Sequence, residues 1–424
     1  MQVRLPYGET GLDVELPGSR TLVVTPRYPA AAADPVREVR RALREPVAGP
    51  PLSAVVRRGQ RVAIAICDGT RPQPRRVVVP VVLEELAEVV DLDDVVVLVA
   101  TGTHRANTPE ELAAMLGADV LRTVRVVNHD ARDPSALVEL GVAGDGVPVQ
   151  LARAWVDADV RITTGFVEPH FFAGFSGGPK LVAPGLAGIE TTLVLHDARR
   201  IGDPRATWGV LDGNPVHDDI RAVAAATRVD FALDVVLDGS HDIVAAFAGE
   251  LFAMHAAACR LSRSVAMRPV DHRFDVVVTS NAGYPLDQNL YQAVKGMSAA
   301  AGVVAPGGLV VVAAECRDGF PDHGSYRQLL ASARSAPELL ASIEQRGHTV
   351  ADQWQVQVQA RVQCAARVAV HASGLDDDDL RAAHLEPVDD IGERVRDELE
   401  RCGPGSTCCV LPAGPETIPY LATR

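Results

Sequence analysis

The chain has 424 residues, with 41 basic against 55 acidic side chains and a formal net charge of -14. A phosphate-backbone binder needs a basic face, and no Lys/Arg block supplies one, so nucleic acid is not an expected partner. The length exceeds one ordinary core and predicts two domains. No stretch reaches about 18 consecutive apolar residues, so no membrane span is expected.

The first residues, MQVRLPYGETGLDVELPG, lack a basic flank followed by an apolar run, so no signal peptide is expected. Seven cysteines lie scattered at 67, 259, 316, 364, 402, 408 and 409, without a CxxC pair. They read as reduced, cytoplasmic thiols rather than a disulfide framework or a zinc cluster.

Short β-branched runs alternate with helical patterns, which predicts two α/β domains with largely parallel sheets. In chain order, strands are expected over 61–67 and 94–100. A helix follows over 108–116, with Thr108 and Glu111 as a capping box. Strands over 124–127 and 160–164 come next, then an apolar helix over 250–261. A domain boundary falls near 264–273, followed by a strand over 274–280. A helix over 288–301 takes Asp287 as its N-cap, and a strand covers 309–314. Residues 353–370 alternate polar and apolar, compatible with strand or helix. Residues 376–379 read as a solvated loop or helix start, and 408–412 as a final strand. This gives an N-terminal domain over 1–268 and a smaller C-terminal domain over 272–400. The segment from about 404 to 424 is a candidate to return to the first.

Four of these strands end in polar or Gly-rich loops: Asp68-Gly-Thr-Arg71-Pro, Thr101-Gly-Thr-His104-Arg105, Asn128-His-Asp130 and Gly165. In parallel α/β sheets the carboxyl edge is the ligand crevice. Composition adds a second clue, since 39 of the 41 basic residues are Arg and only Lys180 and Lys295 are Lys. A surface charge can be either residue, but a lysine that must lose its proton or act as a nucleophile cannot be Arg.

Lys180 closes the densest segment, Gly165-Phe-Val-Glu-Pro-His170-Phe-Phe-Ala-Gly-Phe-Ser176-Gly-Gly-Pro-Lys180, which holds four of the nine phenylalanines. Phe166, Phe171, Phe172 and Phe175 suit an apolar pocket or the core equally. Ser176-Gly177-Gly178 can bring backbone close to a ligand and present N–H groups, as in anion-binding nests, although Walker A spacing is absent. A lone strand-end histidine is commonly structural, but His104, His170 and His196 gather near the same predicted crevice. No HExxH or HxH pair is present. Further on, Gln292 and Lys295 sit i,i+3 on one helix face. An amide beside an ammonium can receive a carboxylate.

These residues resemble the nickel-pincer-dependent lactate racemase family of 2-hydroxyacid racemases and epimerases. The resemblance runs in order through Asp68–Pro72, Gly102–Arg105, Asn128–Asp130, Glu168 to Gly185, His196 and Tyr284–Gly296, about two-thirds of the chain. It implies a cofactor, the nickel pyridinium-3,5-bisthiocarboxylic acid mononucleotide, joined to Lys180 through a thioamide. It implies His196 as a nickel ligand, a sensible donor for Ni(II), and His104 and His170 as the acid/base pair. Arg71, Gln292 and Lys295 match residues that hold the substrate carboxylate, while Asp68 matches a site aspartate of open role. The implied reaction is a proton-coupled hydride transfer that inverts C2 of a small 2-hydroxy acid. Proteins that make the cofactor are implied partners. Both histidines are expected to titrate near neutrality, and the site is expected in an interdomain cleft.

Two other readings compete. An NAD-type hydroxyacid dehydrogenase would show GxGxxG after a strand with an acidic residue about 20 positions on, and no such fingerprint is present. A non-catalytic small-anion or metal-binding protein on the same fold would keep the crevice but lose some matched side chains.

Overall fold

The computed structural model describes residues 1–321 and 324–422. The chain divides into two units. Tyr28–His196 with Arg205–Val265 forms the first, and Met1–Arg27, Asp197–Pro204 and Ala266–Arg424 form the second.

The first unit is built on a six-stranded sheet, ordered Ile243–Gly249, Phe231–Leu237, Val160–Phe166, Val62–Cys67, Val95–Ala100, Arg125–Asn128. All neighbours run parallel except the Ile243–Gly249 edge, which is antiparallel. The central run VAIAIC of Val62–Cys67 is buried at every position, as a parallel strand covered on both faces must be. The helix Pro109–Leu116 begins on the expected capping box: Thr108 Oγ1 accepts from Glu111 N at 3.2 Å, and the Glu111 carboxylate accepts from Thr108 N at 2.8 Å.

The second unit holds an all-parallel sheet, ordered Glu386–Pro387, Arg367–His371, Val304–Ala313, Phe274–Ser280, Cys408–Leu411, Thr21–Val23. One face packs Val276, Val278, Leu309, Val311 and Val410 against Leu5, Val14 and Leu16 of an N-terminal hairpin and against Ile391, Val395 and Leu399. This division differs from the one drawn on the sequence. Met1–Arg27 lies in the second unit because Thr21–Val23 pairs with Cys408–Leu411. The final segment does not return to the first domain, since Cys408–Leu411 also pairs with Phe274–Ser280. Asp197–Pro204 joins the same unit, its Ala198 and Ile201 carbonyls accepting from Gln357 at 2.8 Å and Arg361 at 2.7 Å.

Two local expectations change. The helix Leu290–Ala301 is capped by Asn289, whose Oδ1 accepts from Gln292 N at 3.1 Å. Asp287 instead accepts from the N–H groups of Gly8 at 2.8 Å and Glu315 at 3.0 Å. Residues 353–370 divide into a helix, Gln353–Ala365, and a strand, Arg367–His371. Asp376 caps a short helix, Asp377–Ala382. Among the described residues, no helix is long and apolar enough to cross a membrane.

Candidate active site

In the first unit, Asp68 directly follows Val62–Cys67 and is buried. Its Oδ2 lies 2.7 Å from His104 Nδ1, and its Oδ1 accepts from Thr70 Oγ1 at 2.8 Å. The buried Arg75 guanidinium donates to the carbonyls of Asp68 and Arg71, both at 3.1 Å, and so clamps the turn from beneath. Burial pushes the Asp68 pKa up, but the His104 hydrogen bond, the Arg71 charge and the Thr70 hydroxyl outweigh it and hold the carboxyl below its usual value. The carboxylate orients His104 as the Nδ1–H tautomer, leaving Nε2 as the basic nitrogen. His104 ends a turn in which Gly102, at φ 56°, donates its N–H to Gly185 O at 2.9 Å. Its side chain is 44% exposed, enough to meet a ligand. It lines a cavity of about 260 Å³ with Thr103, Arg105, Asn128 and Arg132. A larger groove of about 580 Å³ lies along Val62, Val96, Arg125 and Ala154 and reaches the Asn128–Asp130 loop, but includes none of the predicted catalytic, cofactor or substrate residues.

The second group grows from Val160–Phe166, two residues longer than expected. Pro169–His170 turns back on Gly174–Phe175 as a tight antiparallel pair. His170 Nδ1 faces the amide N–H groups of Phe172 at 3.4 Å and Ala173 at 3.2 Å, which favours the proton on Nε2. The Phe172 ring is the hub. His170 meets it edge-on at 4.5 Å, His196 edge-on at 5.3 Å, and the Lys180 ammonium lies 5.9 Å from its centre. His196 ends the helix Ile189–Leu195, where its Nδ1 reaches Thr192 O at 2.7 Å. That bond places the proton on Nδ1 and the lone pair on Nε2. Phe166, Phe171, Phe172 and Phe175 are all buried.

The Ser176-Gly177-Gly178 turn is not an open nest. Ser176 Oγ donates to Phe166 O at 3.0 Å and accepts from Glu168 N at 2.9 Å, while Gly178 N donates to Asp234 Oδ2 at 2.6 Å. Gly177 and Gly178 have φ of 71° and 52°, a region open to glycine. Asp234 and the buried His255 behind this turn were not singled out from the sequence. The signal available was a carboxylate inside the apolar strand FALDVVL.

In the second unit, Gln292 and Lys295 share the helix Leu290–Ala301. Gln292 Oε1 is buried without a hydrogen-bond partner among the described residues, as a group reserved for a ligand can be. The structure thus groups Asp68 with Arg71 and His104, and His170 with Lys180 and His196, within one unit. It places Gln292 and Lys295 together in the other.

Sequence profiles of the lactate racemase N-terminal and C-terminal domains match residues 7–209 and 270–418. The lactate racemase of Thermoanaerobacterium thermosaccharolyticum is 34% identical over 424 residues, 98% of each chain. That of Lactiplantibacillus plantarum is 34% identical over 378 residues, 89% of each. The solved lactate racemase apoprotein from T. thermosaccharolyticum superposes with a TM-score of 0.92 at 33% identity, covering 99% of this chain and 100% of that one. A Thermotoga maritima protein matches with a TM-score of 0.67 at 19% identity over 92% of this chain and 97% of its own, a likeness of fold alone. Fold and relatives together define a two-unit α/β isomerase of the racemase class. The chain belongs to the lactate racemase family.

Proposed function

We propose that the protein inverts C2 of a 2-hydroxy acid with a nickel-pincer nucleotide held by Lys180. The observation that carries this reading is the grouping of His170, Lys180 and His196 around one phenylalanine ring. The residues present fit the group. His196 offers an Nε2 lone pair because Nδ1 is committed to Thr192, and imidazole nitrogen suits nickel. Lys180 supplies an amine for the thioamide, chemistry closed to arginine. Among the described residues no three His, Cys, Asp or Glu side chains converge on a metal position. A nucleotide that brings its own sulfur and carbon donors asks the protein for one ligand. When bound, it supplies an electron-poor carbon that accepts the α-hydrogen with its electron pair.

The chain's own residues manage the proton and the carboxylate. Asp68 holds His104 so that Nε2 takes the hydroxyl proton. His170 serves the opposite face: as imidazolium it gives its Nε2 proton to the alkoxide oxygen and is left a neutral imidazole while His104 ends protonated, and the reverse direction exchanges the two roles. Arg71, Gln292 and Lys295 receive the carboxylate. Ser176, Gly177 and Gly178 serve as the shaped base of the tether loop. Activity requires proteins that make the nucleotide, and seven free cysteines suit a cytoplasmic setting.

The test is intact mass after co-expression with a cofactor source, together with chiral chromatography of lactate, the acid named for the relatives, and of other 2-hydroxy acids. A nickel-containing adduct that disappears in Lys180→Ala, with interconversion of enantiomers, is the expected result. An unmodified parent mass would sink the cofactor assignment. Near-normal racemisation by loaded His104→Ala or His170→Ala would sink the acid/base assignment.

A further inference from the structure

The turn that leads to Lys180 is gripped from behind. Asp234 lies in Phe231–Leu237, in register with Gly165 of the neighbouring strand, and is completely buried. Its Oδ2 accepts the Gly178 N–H at 2.6 Å. On the other side, His255 of the helix Leu251–Ala266 donates from Nε2 to the Ser176 carbonyl at 2.9 Å. The carbonyl before Gly177 and the N–H after it are thus each held by a buried side chain. The fit leaves no spare room. A Cβ at Gly177 would stand 2.6 Å from Asp234 Oδ2, and one at Gly178 would stand 2.5 Å from His255 Cγ. From there the chain leads directly to the lysine, because Lys180 N donates to Gly177 O at 3.1 Å and opens the short helix Gly178–Leu181.

Strand stability does not account for the carboxylate. Every other residue of FALDVVL is apolar, and Asp234 Oδ1 is buried without a hydrogen-bond partner among the described residues. A buried, half-satisfied carboxyl is costlier than a valine at such a position, and departures of this kind concentrate where function requires them. Burial, reinforced by the charges of Arg221 and Lys180, keeps His255 neutral with its pKa near 4. It is therefore the single N–H on Nε2 that serves Ser176.

We propose that Asp234 and His255 are positioning residues that set the reactivity of the Lys180 amine by fixing the Ser176–Gly178 turn. The proposal takes Lys180 as the acylated amine of the preceding section, but its test does not need the cofactor. The chain has only two lysines, so acetylation of the apoprotein by an N-hydroxysuccinimide ester, read by peptide mass, reports Lys180 with Lys295 as internal control. Asp234→Ala and His255→Leu should slow Lys180 acetylation about tenfold, since small misplacements of a reacting group are costly, with Lys295 unchanged. Asp234→Asn keeps an acceptor and His255→Gln keeps a donor, so both should recover the parental ratio. A general loss of packing would shift melting temperature and both lysines together. If Asp234→Ala fails to fold, the His255→Leu and His255→Gln pair carries the same comparison. Parental Lys180 rates in folded Asp234→Ala or His255→Leu would overturn the proposal. Absence of an adduct on the loaded parent, with these ratios intact, would remove the tether instead.

Discussion

Asp68 and His104 show how one contact can set a protonation state. The 2.7 Å bond between them keeps the aspartate ionised and the imidazole proton on Nδ1. On the proposed function, Asp68→Asn should lower kcat about a hundredfold, within the usual reach of acid/base catalysis, while the mass added by the cofactor stays that of the parent. The buried groups behind the Ser176–Gly178 turn, Asp234, His255 and the His217 ring stacked on His255 at 5.8 Å, make a second prediction. Burial pushes the pKa of His217 down to about 3 and that of His255 to about 4, while it raises Asp234 to about 7. Between about pH 4 and 6.5 the unfolded chain binds two protons at the histidines that the folded chain refuses. Over the same window the folded chain keeps one proton on Asp234 that the unfolded chain has lost. The difference is one proton, so these groups make stability rise with pH by about 1.4 kcal/mol per unit. His217→Leu should flatten that rise and Asp234→Asn should steepen it, as read from urea unfolding across the window.

At the scale of elements, the capping box before Pro109–Leu116 gives a direct test. Thr108→Ala removes the bond to Glu111 N and should cost about 1 kcal/mol in chemical denaturation. That box was legible because its signal is local, as were the strand cores around 62–67, 95–100 and 274–280, whose apolar runs are buried throughout or nearly so. The helix Gln353–Ala365 was not, because buried glutamines interrupt its apolar stripe. Gln357 and Gln359 donate to the carbonyls of Ala198 at 2.8 Å and Ala383 at 3.0 Å, tertiary partners that no periodicity announces. The N-cap at Asn289 was missed for a related reason, since Asp287 carries the same local signal but is spent elsewhere. The site follows the same rule. His170 and Lys180 stood out because they fall in one Phe- and Gly-rich segment. Asp234 and His255 act on backbone atoms 56 and 79 residues earlier in the chain, so a sequence window holds no trace of what they bind, although a carboxylate inside an apolar strand marks Asp234 as unusual.

At the scale of the molecule, the order of strands decides what can be removed. Cys408–Leu411 is buried at every position and pairs on both sides. Truncation after Gly403 should therefore collapse the second unit, with protease sensitivity spreading through Ala266–Gly403, because an inner strand closes two ladders at once. The division of the chain also has a consequence for biosynthesis. Thr21–Val23 finds its place only beside Cys408–Leu411, in a register that joins Thr21 to Cys408. It therefore leaves the ribosome almost a full chain length ahead of the strand it must meet. Pairing at that separation is slow and leaves an exposed edge in the meantime. Completion of the second sheet must wait until Cys408–Leu411 has been made, and the nascent chain carries Thr21–Val23 unsheltered until then.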